Sequence, residues 1–254
     1  MTLASVRSGI GLLLRSAAFN VLFFGYTAIE LIVIVPALFL PPPRPALWIA
    51  RTWARLMFAL LRIIVGIRWE VRGPVDLLRG PVLIASKHQS AWDTIVFFLL
   101  CEQPTYAMKK ELMLVPLYGW LARQQGHIAV DRTAGAAAIR GLLRASKAAL
   151  AAGRQLVLFP EGTRVPANER HPYQPGIAGL YALLGVPVVP VALNSGLFWP
   201  RRSFMKYPGK VIVEVLPEIP PGLPRETFMH ELETRIETAT ARLIAEARAA
   251  DPGL

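Results

Sequence analysis

The sequence predicts an α/β domain, a sheet covered by helices on both faces, preceded by an N-terminal membrane-associated helical segment. Three observations lead there. From about residue 81 short apolar runs alternate with helical stretches. The runs VLIA and VPVVPVAL are continuously apolar, as strands buried on both faces are. The first forty residues contain an apolar stretch of membrane length. The expected organisation is a membrane-anchoring segment over residues 1–70 and an α/β domain over residues 71–254.

Residues 17–40 read AAFNVLFFGYTAIELIVIVPALFL, with Asn20 and Glu30 the main polar intrusions. The stretch is long enough to cross a bilayer. It is too long for a signal-peptide core, and no small-residue cleavage site follows it. The prolines at 36 and 41–43 end any helix there. Residues 46–68 predict an amphipathic helix: at 100° per residue Arg51, Arg55 and Arg62 fall within about 40° of one another. The rest of the wheel is apolar, with Trp48 and Trp53 included. Such a helix is expected to lie in the membrane interface; the alternative is a helix packed on the domain core with its arginines in water. Arg7 and Arg15 precede the apolar stretch, while Arg44, Arg51, Arg55 and Arg62 follow it. Positive charge on both sides favours a re-entrant hairpin with both ends cytoplasmic, a single span being the alternative. Either places the domain on the cytoplasmic face of the cell inner membrane.

In the remainder, strands are expected at 81–85, 127–130, 155–159, 188–193 and 210–216. Helices are expected at 91–100, 116–123, 134–152, 177–184 and 225–249, with a Pro/Gly-rich loop over 217–224. In the helix over 134–152 Arg140, Arg144 and Lys147 share a face, read as solvated; a docking patch for an acidic partner or anionic lipid is the sharper alternative.

Composition narrows the partners. The chain has 28 Lys+Arg against 17 Asp+Glu, a net charge of +11, yet 54% of its residues are hydrophobic. A protein both basic and apolar suits an anionic membrane surface rather than nucleic acid. The single cysteine, Cys101, lies within IVFFLLC; no disulfide within the chain is possible, and the residue reads as a small buried hydrophobe.

Three polar clusters sit at the ends of expected strands, where α/β sheets hold their ligands. The first is SKHQSAWD, residues 86–93. Residues five apart diverge on a continuous helix, so His88 is expected in the strand-to-helix turn and Asp93 on the first helical turn, folded back toward it. A carboxylate accepting from one imidazole nitrogen leaves the other free as a general base. The chain has no G-x-S-x-G. A base without a partnered nucleophile suits direct attack by a substrate hydroxyl on an activated acyl donor. The second cluster is FPEGTR, residues 159–164: Gly162 permits close backbone approach, Thr163 supplies a hydroxyl, and Arg164 a planar fork for phosphate. Glu161 is expected to orient that arginine or a substrate hydroxyl; a plain surface turn is the alternative. The third is GHIAVDR, residues 126–132, ending in Asp131 and Arg132, a structural ion pair or a phosphate site. Lys109 and Lys110 add cations nearby.

Together these residues resemble the glycerolipid acyltransferase family, in particular the 1-acyl-sn-glycerol-3-phosphate acyltransferases. His88-x4-Asp93 looks like the family's catalytic motif, residues 126–132 its second block, residues 161–164 its third, and VPVVPV at 186–191 its fourth. All four occur in family order. The resemblance implies a mixed sheet, and an acyl donor that is a thioester of CoA or acyl carrier protein. It implies lysophosphatidic acid or a related lysolipid as acceptor, phosphatidic acid as product, and a membrane as partner. His88 would deprotonate the sn-2 hydroxyl and Asp93 hold His88; Arg132 and Arg164 would grip the acceptor phosphate, with Glu161, Gly162 and Thr163 shaping the pocket. No metal and no cofactor beyond the thioester co-substrate are implied. Lys87 and Ala129 depart from the family's usual residues, and His127 is assigned no role. The same chemistry on a lysophospholipid, a lyso-ornithine lipid or glycerol 3-phosphate, and a non-enzymatic basic membrane adaptor, are the competing readings.

Overall fold

The computed structural model describes residues 9–33, 35, 44–131, 133 and 135–253. The order is α1 (Ile10–Val33), α2 (Arg44–Leu60), a π-helical turn (Leu61–Val65), β1 (Ile67–Arg72), β2 (Val82–Ser86), α3 (Trp92–Leu100) and β3 (Pro104–Lys109). There follow α4 (Tyr118–Gln124), β4 (Ile128–Val130), α5 (Gly135–Ala151), β5 (Gln155–Leu158), α6 (Gly176–Leu184), β6 (Val188–Leu193), β7 (Gly209–Val215) and α7 (Arg225–Ala250). The seven strands form one mixed sheet in the order β1-β7-β6-β2-β5-β3-β4. β6, β2, β5, β3 and β4 are mutually parallel; β7 is antiparallel to β6 and parallel to β1.

The central strands are the continuously apolar ones: every residue of β2, β5 and β6 is buried, which is what a sheet with two covered faces demands. Pro190 lies inside β6, where a missing N–H is costly. Pairing of β6 with β7 starts only at Val191, so the proline falls just before that ladder begins. One face of the sheet packs Ile84, Val157, Val189 and Val213 against Phe19, Phe58, Trp92 and Ile95 of the first three helices. The other packs Leu83, Leu156 and Val188 against Leu150, Ile177, Leu180 and Phe228 of α5, α6 and α7.

The structure corrects three expectations. The helix expected over 46–68 is α2 plus the π turn, and its last residues are already β1. Its apolar side is not offered to lipid: Leu47, Ile49, Ala54, Met57, Phe58 and Leu61 are buried within the protein. A lipid surface and a sheet satisfy the same apolar stripe, so periodicity alone does not choose between them. Of the arginine stripe, Arg51 donates to the carbonyls of Phe98, Cys101 and Glu102 at the end of α3, while Arg55 and Arg62 are exposed. The second correction is β1 (IRWEVR) and β3 (PTYAMK), which were not expected as strands. Both end in a charged residue, Arg72 and Lys109, and neither is apolar throughout. The third concerns the N-terminal segment. The boundary expected at residue 70 falls inside β1, and Phe19, Ala54 and Phe58 share one core with the sheet.

α1 is long and apolar enough to cross a membrane. One stripe of it docks on the domain. Phe19 and Phe23 pack edge-on against Trp199 at 5.4 and 5.6 Å, and Trp53 Nε1 donates to Thr27 Oγ1 at 2.9 Å. The other flank, including Ile10, Leu14, Val21, Phe24, Ile29 and Ile32, is exposed. An uncovered apolar face of this size marks a contact with another apolar phase. The expected end of the helix, with the prolines at 36 and 41–43, lies outside the described residues.

Phe58 sits between Trp69 and Trp92, with ring centroids 5.3 and 5.1 Å away. Phe58→Ala is expected to cost about 3–5 kcal/mol, whereas Ile63→Ala, at a side chain 79% exposed, should change stability by less than about 0.5 kcal/mol. Denaturant unfolding of both variants in detergent measures the difference.

Candidate active site

β2 ends at Ser86 in the middle of the sheet, and the chain then turns into α3. That turn brings His88 back to Asp93: Nδ1 lies 3.1 Å from Oδ2. The same oxygen accepts the main-chain N–H of Gln89 at 2.6 Å and of Ser90 at 2.8 Å. The other, Oδ1, accepts from the Ser195 hydroxyl. Asp93 is fully buried, on the first turn of α3, where the helix dipole favours a negative charge. A carboxylate engaged in this way is an acceptor only, so Nδ1 carries the imidazole proton and Nε2 keeps its lone pair. The ring is held from one side by Phe159, stacked at 3.9 Å and 18°, with Tyr106 stacked behind Phe159. His88 is 8% exposed. The arrangement equips Nε2 to take a proton from a group that reaches it.

The FPEGTR turn is pinned to the same loop, Val165 N donating to His88 O at 2.7 Å. Gly162 adopts φ +68°, and a Cβ there would meet Gln174 Cγ at 3.1 Å, so the turn requires glycine. Thr163 and Arg164 are half-buried. Burial lowers the Arg164 pKa, with Asp93 opposing the shift and Arg201 adding to it. Glu161 does not orient Arg164: it is 2% exposed, and its Oε1 lies 2.9 Å from Lys87 Nζ. Burial dominates that ion pair, and the Glu161 pKa is pushed up to about 7.

Lys87, the departure beside the histidine, points away from it. Its ammonium is 1% exposed and donates to Glu237 Oε1 of α7 at 2.7 Å; Tyr173 donates to the same oxygen at 2.9 Å. Lys87 is thus neutralised by two carboxylates on the α7 side of the sheet. In the third cluster Asp131 pairs with Lys110 at 2.5 Å and accepts from Thr133; Arg132 lies outside the described residues. His127 is kept neutral, its pKa pushed down to about 3 by burial and then by Arg154, and Phe98 and Tyr106 surround its ring. The Cys101 thiol is buried and pushed up to about 12.

Sequence reasoning missed Ser195, Gln89 and Arg201. Ser195 follows β6 by two residues, so the rule that strand ends carry ligands, applied to β6 as it was to β2, finds it. Next to it Gly196 N donates to Gln89 Oε1 at 3.0 Å, and a Cβ on Gly196 would come within 2.9 Å of the Gln89 Cβ. Arg201 donates from NH1 to the Arg164 carbonyl at 2.7 Å. Nothing local in the sequence signals it.

A family model described as Acyltransferase matches residues 68–194. The chain is 33% identical to the 1-acyl-sn-glycerol-3-phosphate acyltransferase of Pseudomonas aeruginosa, over 78% of this chain and 77% of that one. The enzyme of the same name from Escherichia coli K12 is 26% identical, over 75% of this chain and 78% of its own. The crystal structure of the 1-acyl-sn-glycerophosphate acyltransferase from Thermotoga maritima superposes with a TM-score of 0.72 at 18% identity, covering 91% of this chain and 97% of that one, and shares the fold. The chain belongs to the acyltransferase family.

Two stability predictions follow from the buried charges. Lys87→Met leaves Glu161 and Glu237 without their cation and is expected to cost about 3–5 kcal/mol, read as a lowered thermal midpoint in detergent. Glu161 titrates at about 7 when folded, against an ordinary 4.5. A raised carboxyl pKa contributes stability that is complete below about 4.5 and is lost as pH rises through about 7. Unfolding free energy should therefore decline across that window. Glu161→Gln should flatten the decline in a pH series of denaturant titrations.

Proposed function

We propose that this acyltransferase moves a fatty acyl group from a thioester of CoA or acyl carrier protein to the sn-2 hydroxyl of 1-acyl-sn-glycerol 3-phosphate, giving phosphatidic acid in phospholipid biosynthesis. The observation that carries the reading is an oriented imidazole with, among the described residues, no free protein nucleophile beside it. The Cys101 thiol is buried and held neutral, and the Ser195 hydroxyl is spent on the Asp93 oxygen that His88 does not use. The nucleophile then comes from the substrate. The names of the relatives supply its class, a lysolipid with a free hydroxyl and a terminal phosphate.

His88 Nε2 takes the hydroxyl proton as the oxygen attacks the thioester carbonyl. The carbon–sulfur bond breaks as the tetrahedral intermediate collapses, and the proton passes from the imidazolium to the departing thiolate. Asp93 holds the tautomer and stabilises the imidazolium. Such base catalysis contributes roughly 10²–10⁴-fold. Arg132 and Arg164 bind the acceptor phosphate. Gly162 and Thr163 form the wall of that pocket, and Glu161, turned inward on Lys87, shapes it from behind. No cofactor or metal enters this scheme, the thioester being a co-substrate. The acceptor is a membrane lipid, and the exposed flank of α1 supports seating of the protein in the cell inner membrane, with the catalytic domain on the cytoplasmic face.

The test is acyl transfer from one labelled thioester to a panel of acceptors: lysophosphatidic acid, a lysophospholipid, lyso-ornithine lipid and glycerol 3-phosphate. Lysophosphatidic acid is expected to give the highest kcat/KM. His88→Ala and Asp93→Asn should lose about 10²-fold or more of that activity while still sedimenting with vesicles. Wild-type turnover in His88→Ala would remove the mechanism.

A further inference from the structure

The short helical turn Lys110–Leu114 that follows β3 shows water its apolar side chains. Leu114 is 75% exposed, and Leu112 and the adjoining Val115 are exposed as well. The turn is nonetheless rigidly held. Met113 within it is buried, and its carbonyl accepts from Arg123 of α4 at 2.6 Å. A Cβ on Gly119 would meet that carbonyl at 2.1 Å, so α4 packs against the turn with no side chain between them. Val115 N donates to Leu112 O at 3.3 Å, and Gly119 N to Val115 O at 2.8 Å. Leu117 follows at φ +61°, a left-handed conformation that leucine rarely adopts. Such a conformation persists where the surroundings over-determine it. The leucines are presented by a fixed scaffold.

The turn stands beside the start of α2. Gln125, just after α4, donates from Nε2 to Ala46 O at 3.2 Å, and Trp48, two residues on, is 66% exposed. α1 reaches the same place. Its Phe23 and Thr27 meet Trp53, and it also packs on the π turn Leu61–Val65. In a parallel pairing that π turn would fall at or past the end of α1, whereas the buried residues of α1, Leu12, Ser16 and Phe19, all precede Phe23. The two helices therefore run antiparallel, which puts the exposed Ile29, Ile32 and Val33 at the level of Trp48. The uncovered flank of α1 thus continues over Trp48 to Leu112, Leu114 and Val115. A large apolar patch marks contact with a membrane or another protein. The residues around this one favour the membrane: Lys109 and Arg55 are exposed cations, and tryptophan with basic side chains is the composition of an interfacial belt.

We propose that the Leu112–Val115 turn, together with Trp48, is a second lipid-contacting element that enters the bilayer surface beside α1 and fixes the tilt of the domain. The inference rests on the membrane reading of α1 above and deepens it. β2, β5 and β3 are parallel neighbours, so the turn after β3 leaves the same end of the sheet as the turns that carry His88 and Arg164. It stands two strand spacings from β2, roughly 10 Å. One helix attached to a membrane leaves the domain free to rotate about it. A second contact at this end of the sheet removes that freedom and turns the strand ends toward the source of a lipid acceptor.

The experiment places an environment-sensitive, thiol-reactive fluorophore on Leu114→Cys and, as reference, on Leu183→Cys. Leu183 is 54% exposed on α6, over the opposite face of the sheet. Cys101 is buried, with its thiol pushed up to about 12, and does not compete for a reagent that needs the thiolate. With vesicles of mixed zwitterionic and anionic phospholipid, the label at 114 is expected to shift to the blue and to be quenched by a nitroxide on the lipid chain. The label at 183 should do neither. In the unlabelled Leu112→Glu/Leu114→Glu variant, kcat/KM for long-chain lysophosphatidic acid in vesicles should fall about 10-fold or more. The value for a short-chain acceptor dissolved in water should stay within about twofold of wild type. A label at 114 that remains in water while the protein sediments with vesicles would overturn the inference and leave the α1 reading standing. Protein that does not sediment at all would overturn both. A blue shift produced by raising the protein concentration without vesicles assigns the patch to a second copy and rejects the lipid contact, as do equal losses on the two acceptors. Should the variants fail to fold, a phospholipid bearing a photoactivated carbene precursor is applied to the wild type. Cross-links at residues 112–115 are expected, and cross-links confined to α1 would reject the second contact.

Discussion

The buried Asp93 carboxylate is the constraint around which the site is arranged. A charge removed from water must find its hydrogen-bond donors in the protein, and Asp93 finds four: an imidazole, two main-chain N–H groups and a serine hydroxyl. Three belong to the turn after β2; the fourth comes from the turn after β6, 102 residues away in sequence. The carboxylate can be satisfied only if β2 and β6 lie side by side with their ends aligned, as the parallel pairing of Leu83 with Val188 through Ser86 with Val191 places them. Orientation of His88 is therefore a property of the sheet as well as of a local motif. Gln89 and Gly196 repeat the link beside it.

From Ser195 the same segment runs on to the membrane-length helix. Trp199 packs against Phe19 and Phe23, and Ser16 Oγ accepts from Lys206 N at 3.0 Å. Asn20 is held from both ends, by the Lys206 ammonium and by the Phe204 carbonyl. Polar residues are costly in a helix that meets lipid, so Ser16 and Asn20 make sense only on the stripe that faces this loop. Asn20, an intrusion in the apolar pattern, is one half of the joint between helix and domain.

Much of this was legible in the sequence, and the limits were physical. The central strands β2, β5 and β6 are apolar throughout because both faces of the sheet are covered, and such runs stand out. The partly exposed β1 and β3 mix charges with apolar residues and do not. His88 and Asp93 were found because the turn that joins them is short. Ser195, Glu237 and Arg201 were not, since their partners lie far off in sequence and only the assembled fold brings them near. The apolar stripe of α2 shows a further limit: amphipathicity records that a face is covered, without recording by what. Lys87, a departure from the family's usual residue, became intelligible only once Glu161 and Glu237 were seen to surround it.

The two cationic environments flanking His88 differ in a way that separates architecture from recognition. On the α7 side, Lys87 is enclosed by Glu161 and Glu237, and the Tyr173 hydroxyl donates to the same Glu237 oxygen. A buried charge with partners of its own holds elements together, and breaking it is costly because the remaining charges cannot be rehydrated. On the other side, burial and Arg201 work against the Arg164 charge while Asp93 supports it, and Arg201 donates to the Arg164 carbonyl. Both environments depend on the sheet that holds the turns after β2, β5 and β6 in place.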